Sequence, residues 1–202
     1  MNEELKLKLP GAFYLDNVTA VAQNLLGKIF VRKTNGTALA GRIVETEAYD
    51  GVNDEASHSF NGMTERNRVM FLEGGYLYVY FTYGVHFCCN VVTGPAGYGA
   101  AVLLRGIEPV NGIETMALNR FGKTGLNRRE FTNLTSGPGK ICKAFNIDRK
   151  QNGMKLDGNI VYITEGAPVS GEDIIVSKRI GIKKAAGYPW RFYLKSDFVS
   201  KK

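Results

Sequence analysis

The segment Gly41-Arg42-Ile43-Val44-Glu45-Thr46-Glu47-Ala48-Tyr49 places two carboxylates and a phenol at alternate positions of a strand-like run. In a β-strand, residues i, i+2 and i+4 share a face, so Glu45, Glu47 and Tyr49 point together. A carboxylate beside an aromatic ring is either a solvated edge group or an active-site group that takes a proton or stabilises developing positive charge. A second run, Tyr76-Leu77-Tyr78-Val79-Tyr80-Phe81-Thr82-Tyr83-Gly84, alternates in the same way. Tyr76, Tyr78 and Tyr80 line one face, and Leu77, Val79, Phe81 and Tyr83 the other. Such a stripe serves a core as readily as a site, but each hydroxyl needs a partner if buried. Tyr83, just before Gly84, falls at the expected tip of a hairpin. An exposed aromatic residue there suits stacking on bases or wedging between them.

Other reactive residue types are sparse. His58 lies in the polar loop Asp54-Glu55-Ala56-Ser57-His58-Ser59, where a histidine is usually solvated, and His86 sits in a β segment and reads as structural. Two histidines and three cysteines, two of them the adjacent Cys88 and Cys89, match neither a zinc spacing nor a disulfide framework. Ser136-Gly137-Pro138-Gly139-Lys140 lacks the spacing of a phosphate loop and reads as a helix entry whose N–H groups could still hold a phosphate.

The elements that must position these residues can be read along the chain. Asp16 is the expected cap of a first helix carrying Val18, Val21, Ala22 and Leu25, with a stop at Gly27. A strand from Ile29 to Arg32, a turn at Asn35-Gly36 and a second extended stretch from Leu39 to Tyr49 follow. Residues 50–63 read as a loop, Thr64–Leu72 as a short helix, and Tyr76–Val92 as two strands broken at Tyr83-Gly84. A strand at Ala101–Leu104, a helix at Asn111–Arg120, a basic loop at 119–135, a helix from Pro138 through Phe145 and short strands near 159–164, 173–178 and 190–194 complete the reading. Many strands joined by hairpins with a few helices make an α+β fold, expected as a single domain over 1–202. The 202 residues are 44% hydrophobic and 22% charged, which excludes intrinsic disorder. No apolar run reaches the roughly 20 residues of a membrane span. The start of the chain lacks a signal-peptide layout, so an intracellular protein is expected. Lys and Arg number 26 against 19 Asp and Glu, a formal charge of +7. From charge alone, mere solubility and polyanion binding stand equally open.

Gly41–Tyr49, Asp54–Ser59, Arg66-Asn67-Arg68 with Met70-Phe71, Leu77–Tyr83, Asn90, Val102–Arg105 with Glu108-Pro109, and Ser136-Gly137-Pro138 with Lys140 recur together in one family. The chain resembles the alkyladenine (3-methyladenine) DNA glycosylases of the mammalian type and their bacterial members, from the first helix to Trp190-Arg191-Phe192-Tyr193. The resemblance implies a curved antiparallel sheet with flanking helices and a protruding hairpin that enters the minor groove. It implies metal-free and cofactor-free hydrolysis of alkylated or deaminated purines from double-stranded DNA by a monomer, in bacterial cytoplasm or, in a eukaryote, the nucleus. By resemblance, Glu47 is the carboxylate that activates water and Arg105 stands near that water and the DNA backbone. Tyr49, His58 and Tyr80 surround the flipped base, and Asn90 crowds the 2-amino group of guanine. Tyr83 replaces the extruded nucleotide. Val85 follows where mammalian members carry methionine. Arg66, Arg68 and Lys140 are candidate DNA contacts, with Lys123, Arg128 and Arg129 as further basic residues.

Three competing readings remain distinguishable. A lyase needs an amine nucleophile, for which Lys140 is the candidate. A binding module for damaged DNA or structured RNA would have no use for Glu47 facing phosphates. A structural domain would use its tyrosines only as core.

Overall fold

The computed structural model describes residues 7–34, 36–82 and 84–201. After a single 3-10 turn at Gly11–Tyr14, α1 (Val18–Asn24) leads into the hairpin of β1 (Ile29–Thr34) and β2 (Thr37–Tyr49). A long loop with a 3-10 turn at Arg68–Phe71 precedes β3 (Leu77–Thr82), β4 (His86–Thr93) and β5 (Ala100–Asn111). Helices α2 (Ile113–Phe121), α3 (Arg128–Thr132) and α4 (Pro138–Ala144) follow, and then the short strands β6 (Val161–Thr164), β7 (Ile175–Ser177) and β8 (Arg191–Tyr193). All eight strands join one antiparallel sheet, ordered β3-β4-β5-β2-β1-β6, with β8 added to β2 and β7 to β8. The class is α+β, with a curled antiparallel sheet flanked by four helices.

The strand β2 is the hinge of this arrangement. Its first half pairs with β1, its second half with β8, and its other edge runs along β5. The change of partner coincides with register shifts around Glu45 that leave Val44 and Arg105 without partners in the β2–β5 ladder. Bulges of this kind bend a sheet and re-aim the extra side chain. Both faces of β2 are covered, so it is buried from Leu39 almost without interruption, Glu45, Thr46 and Glu47 included. One face joins the main core, where Phe30, Leu39, Ile43, Leu77, Val91, Val102 and Leu104 meet Ile141 and Phe145 of the α4 segment. The other face carries the polar residues described below. Gly106, beside the bulge, has no room for a Cβ, which would meet the Phe198 carbonyl oxygen at 2.7 Å. The glycine lets the chain near residue 198 lie directly on β5.

Several local expectations are corrected. The cap of α1 is Asn17, whose side chain accepts from Thr19 N–H at 2.9 Å, while Asp16 only accepts from Asn17 N–H. Residues 64–72 form turns and one 3-10 segment, not a helix, because the Asn67 side chain is spent on the carbonyls of His58 and Gly62. The strand β5 runs on to Asn111, its length masked in the sequence by the bulge at Arg105-Gly106 and by Pro109; α2 accordingly starts only at Ile113. The basic stretch 119–135 contains α3, closed by a reciprocal cap between Asn127 and Glu130. At the first hairpin, Gly36 has φ +76° and Thr34 pairs with Thr37; Asn35 lies outside the described residues.

Phe145 is fully buried and meets Phe30 edge-on at 5.3 Å, locking α4 to the sheet. Phe145→Ala is expected to lower the unfolding free energy by about 3–5 kcal/mol, measured by urea denaturation.

Candidate active site

The ladder itself assembles the site. In register, Tyr78 stands opposite Asn90, Asn90 opposite Leu103, Leu103 opposite Glu47, and Glu47 opposite Arg191. Directly opposed residues of antiparallel strands share a face, so one row crosses five strands on the side away from the main core. Two residues along each strand on the same face lie Tyr80, Cys88, Ala101, Arg105 and Tyr49. All of these except Glu47 and Arg191, which lie behind them, floor a cavity of about 330 Å³. Its walls are Ala56 and His58 from the loop after β2, Pro138 at the start of α4, and Ile180-Gly181-Ile182. The size lies at the small end for pockets that enclose a small organic group.

Aromatic side chains dominate one side. Tyr78 and Tyr80 are stacked with centroids 5.5 Å apart, and the His58 ring meets Tyr80 edge-on at 4.5 Å. His58 Nδ1 lies 3.2 Å from the Tyr78 hydroxyl. Desolvation against these rings, and secondarily the Arg66 charge, hold His58 below the usual histidine pKa, so its imidazole is neutral at pH 7. Burial pushes the Tyr78 hydroxyl up to about 12 and the Cys88 thiol up to about 11, leaving both protonated. Asn90 is buried, and its Nδ2 donates to the Tyr78 carbonyl at 3.2 Å.

The opposite side is ionic. Glu47 is fully buried behind the lining. Its Oε2 accepts from the Tyr49 hydroxyl at 2.8 Å and from Arg105 Nη1 at 3.2 Å, and its Oε1 accepts from Ile180 N–H at 2.7 Å. Desolvation nevertheless raises its pKa above the ordinary glutamate value, because it outweighs the lowering by Arg105, Ile180 and Tyr49. Burial and the neighbouring Glu47 carboxylate hold Tyr49 well above the usual phenol range, so it stays a donor. Arg105 is shared: its Nε donates to Glu45 Oε1 at 3.3 Å and its Nη2 to Ser200 Oγ at 3.2 Å. Glu45 is also fully buried and is satisfied by Arg191 Nε at 2.6 Å, Ser200 N–H at 2.6 Å and Ser200 Oγ at 2.8 Å. A dry carboxylate beside a shielded aromatic cavity is suited, when ionised, to drawing a proton from water and to opposing positive charge on a sugar.

Comparison with known proteins identifies the setting of this site. The model of one protein family, Methylpurine-DNA glycosylase (MPG), matches residues 12–198. The chain belongs to the methylpurine-DNA glycosylase family. It is 51% identical over 196 residues to a protein of Carboxydothermus hydrogenoformans, covering 96% of this chain and 99% of that one. A protein of Alkaliphilus oremlandii is 46% identical over 203 residues, covering 97% and 100%. One of Clostridium acetobutylicum is 44% identical over 197 residues, covering 95% and 96%. All three bear the name "Putative 3-methyladenine DNA glycosylase". The chain is thus a DNA glycosylase, an enzyme of base excision repair acting on DNA.

In this glycosylase, Tyr49, His58, Tyr80, Asn90 and Arg105 all line the cavity, and Glu47 contacts two of its lining side chains. Tyr83 lies outside the described residues. On either side of it, Thr82 pairs with His86, Gly84 adopts φ +67° and Val85 is 68% exposed. His86, read as structural, is exposed at the start of β4. Arg66 is exposed and donates to the Phe81 carbonyl at 3.1 Å, which places its guanidinium between the hairpin and the His58 loop. Arg68 is paired with Glu65 on the surface, and Lys123 with Glu130. Lys140 is half-buried and donates to Asn133 Oδ1 and, at 3.5 Å, Ser136 Oγ, so its ammonium is engaged within the fold. Residues that sequence reasoning left without a role are Glu45, Asp54, Arg179, Ile180, Arg191 and Ser200. Of these, only Glu45 and Arg191 stand out in the sequence, as charged residues in largely apolar runs.

Arg105 faces two buried carboxylates, and removing it leaves both under-neutralised. Arg105→Ala is expected to cost about 3–5 kcal/mol of stability, and adding Glu47→Gln to recover part of that loss, as read from paired urea titrations.

Proposed function

We propose that this glycosylase flips alkylated or deaminated purines out of duplex DNA into the tyrosine-lined cavity and hydrolyses the N-glycosidic bond with a water activated by Glu47. The single observation that carries the reading is the placement of Glu47: dry and held by three donors immediately behind a cavity walled by Tyr49, Tyr80 and His58. A base inside a duplex cannot reach such a cavity, so it must be extruded, at a few kcal/mol. Stacking on Tyr49 and Tyr80 returns about 1–3 kcal/mol per base. Tyr83 and Val85, at the hairpin turn, are proposed to fill the space left in the stack, and Arg66 to contact the backbone nearby.

A carboxylate has about four lone-pair sites on its two oxygens. In Glu47, Oε2 accepts two hydrogen bonds and Oε1 one, so Oε1 can accept a further one from water. The bond from C1′ to the purine nitrogen breaks, leaving positive charge on the sugar that the carboxylate opposes. Water adds its oxygen to C1′, and its proton passes to Glu47 and from there to solvent or the departing base. Tyr49 and Arg105 hold the carboxylate in place and favour its ionised form. Among the described residues no lysine lines the cavity, which favours water over an amine as nucleophile. The substrates proposed are 3-methyladenine, 7-methylguanine, hypoxanthine and ethenoadenine. Cationic alkylated purines gain from the electron-rich tyrosine faces. Neutral lesions need hydrogen bonds from the His58 loop. Asn90, fixed by its bond to the Tyr78 carbonyl, crowds a 2-amino group and so rejects normal guanine.

Glu47→Gln is expected to retain binding to a duplex carrying one hypoxanthine and to lose base release by about 10²–10⁴-fold in single-turnover assays. Turnover at the wild-type rate would remove Glu47 from the reaction. The ionised form is the active one and its pKa is raised, so base release should rise with pH along a limb lying above the ordinary glutamate value. Asn90→Gly should increase release of guanine and its derivatives relative to hypoxanthine, and an unchanged product ratio would count against the steric account.

A further inference from the structure

We propose that Arg179, held by Asp54, is a positioning residue for excision: this buried ion pair fixes the Tyr49 ring and the Ile180 N–H against Glu47, setting the stacking wall and the base together. The inference rests on the function proposed above.

Both side chains are fully shielded from solvent. Arg179 Nη1 and Nη2 grip the two Asp54 oxygens, Nη2 at 2.7 Å from Oδ1. The same two nitrogens reach the carbonyls of Ala48 at 2.9 Å and Ala185 at 3.2 Å. The guanidinium carbon lies 4.6 Å from the centre of the Tyr49 ring and 5.3 Å from that of Trp190. One side chain thus ties the end of β2, the loop after it, the 180–188 segment and the entry to β8.

Each tie ends at a wall of the site. Ala48 and Tyr49 adjoin Glu47 in the chain, and Tyr49 donates to that carboxylate. Asp54 also shapes its own turn: its Oδ1 accepts from Ala56 N–H at 3.1 Å and its carbonyl from Ser57 N–H at 2.8 Å. That turn presents Ala56 and His58 to the cavity. Ile180 follows Arg179 directly, so fixing the guanidinium limits where the Ile180 amide can lie, and that amide donates to Glu47. Stability alone is a poor account of the pair. Buried ion pairs are often no better than apolar residues of equal volume. Here the pair also leaves Arg179 Nε buried without a hydrogen-bond partner.

The groups facing Glu47 are Arg105 from β5, Glu45 and Tyr49 from β2, and the Ile180 N–H. Loosening Arg179 removes or lengthens the last of these. A hydrogen bond to the ionised form lowers a carboxyl pKa, so its loss raises the pKa and moves the acid limb of activity upward. A merely structural residue would reduce the active fraction without moving that limb.

The test compares the full chain with Arg179→Gln, Arg179→Lys and Asp54→Asn. Each is assayed for single-turnover release of hypoxanthine from a defined duplex between pH 5 and 9 and normalised by active-site titration. Trp190, the single tryptophan of the chain, reports folding and the state of the clamp by its emission. The expected result for Arg179→Gln and Asp54→Asn is a loss of about tenfold or more per active molecule, since misplacements of about an ångström have effects of that order. The acid limb should rise by about 0.5–1 pH unit. Arg179→Lys should recover part of the rate, because an ammonium can pair with Asp54 but lacks the planar fork. If Arg179→Gln does not fold, Asp54→Asn and Arg179→Lys carry the test. Unchanged rates and limbs after normalisation, or unfolding of all three variants, would overturn the proposal. Failure of the unmodified chain to release any base would instead overturn the reading of function on which it rests.

Discussion

Two fully buried carboxylates on one strand dictate much of this structure. Glu45 and Glu47 lie two residues apart on β2 with no access to solvent. An ionised carboxylate in such a place is tolerated only when paired and hydrogen-bonded. The fold meets that requirement with guanidiniums from β5 and β8, with a backbone amide from the 180 segment and with Ser200. Strands β5 and β8 lie on opposite edges of β2, so the sheet itself delivers cations from both sides. The bulge that leaves Arg105 outside the ladder is what allows one guanidinium to reach both carboxylates. The glycine at 106 then admits the chain that carries Ser200.

The two carboxylates nonetheless end in different states. Glu45 takes four donors and is the anchor that holds Arg105, Arg191 and Ser200 in register. Glu47 takes three, stands next to the cavity, and has its pKa raised by a desolvation that those three donors do not fully offset. Identical side chains in one strand thus divide into a structural anchor and a proposed base through their partners alone. The same division holds among the tyrosines. Tyr78 is buried under its neighbours and sets the position of His58, while Tyr49 and Tyr80 turn more of their rings to the cavity.

The sequence made legible what depends on local pattern. Alternation along Glu45–Tyr49 and Tyr76–Tyr80 placed the tyrosines on one face and the carboxylates together, because strand parity needs no tertiary information; the same parity carried back to Ile43 fails, since the bulge at Val44 turns Ile43 into the main core. Pro138 at a helix start and the turn before His86 were visible for the same reason. What could not be read is what depends on which strand lies beside which. Nothing near Arg105 indicates that it skips the ladder, and Pro109 hides the length of β5. The helix expected at 64–72 fails because the Asn67 amide donates to the carbonyls of His58 and Gly62 and ties the segment to the preceding loop. Arg179 is 125 residues along the chain from Asp54, and Arg191 and Ser200 are 146 and 155 residues from Glu45. The resemblance brought the cavity residues together by name, but not the ionic network behind them.

That network bears on how charge is divided in the molecule. Around the cavity, Glu45, Glu47 and Asp54 face Arg105, Arg179 and Arg191, three anions against three cations. The buried cluster is therefore formally neutral, and the +7 of the chain resides outside it. A neutral interior has two consequences for the proposed reaction. It does not repel a cationic purine, which a site built on unpaired arginines would. It also leaves Glu47 free of a dominating counter-charge, since Arg105 is divided between two carboxylates. Attraction for the phosphate backbone can then be supplied by exposed residues such as Arg66, where salt screens it and sequence does not matter. In the proposed reaction, holding DNA and breaking the bond thus become separable tasks: surface charge would set affinity, and the closed ion pairs beneath the cavity would set the chemistry.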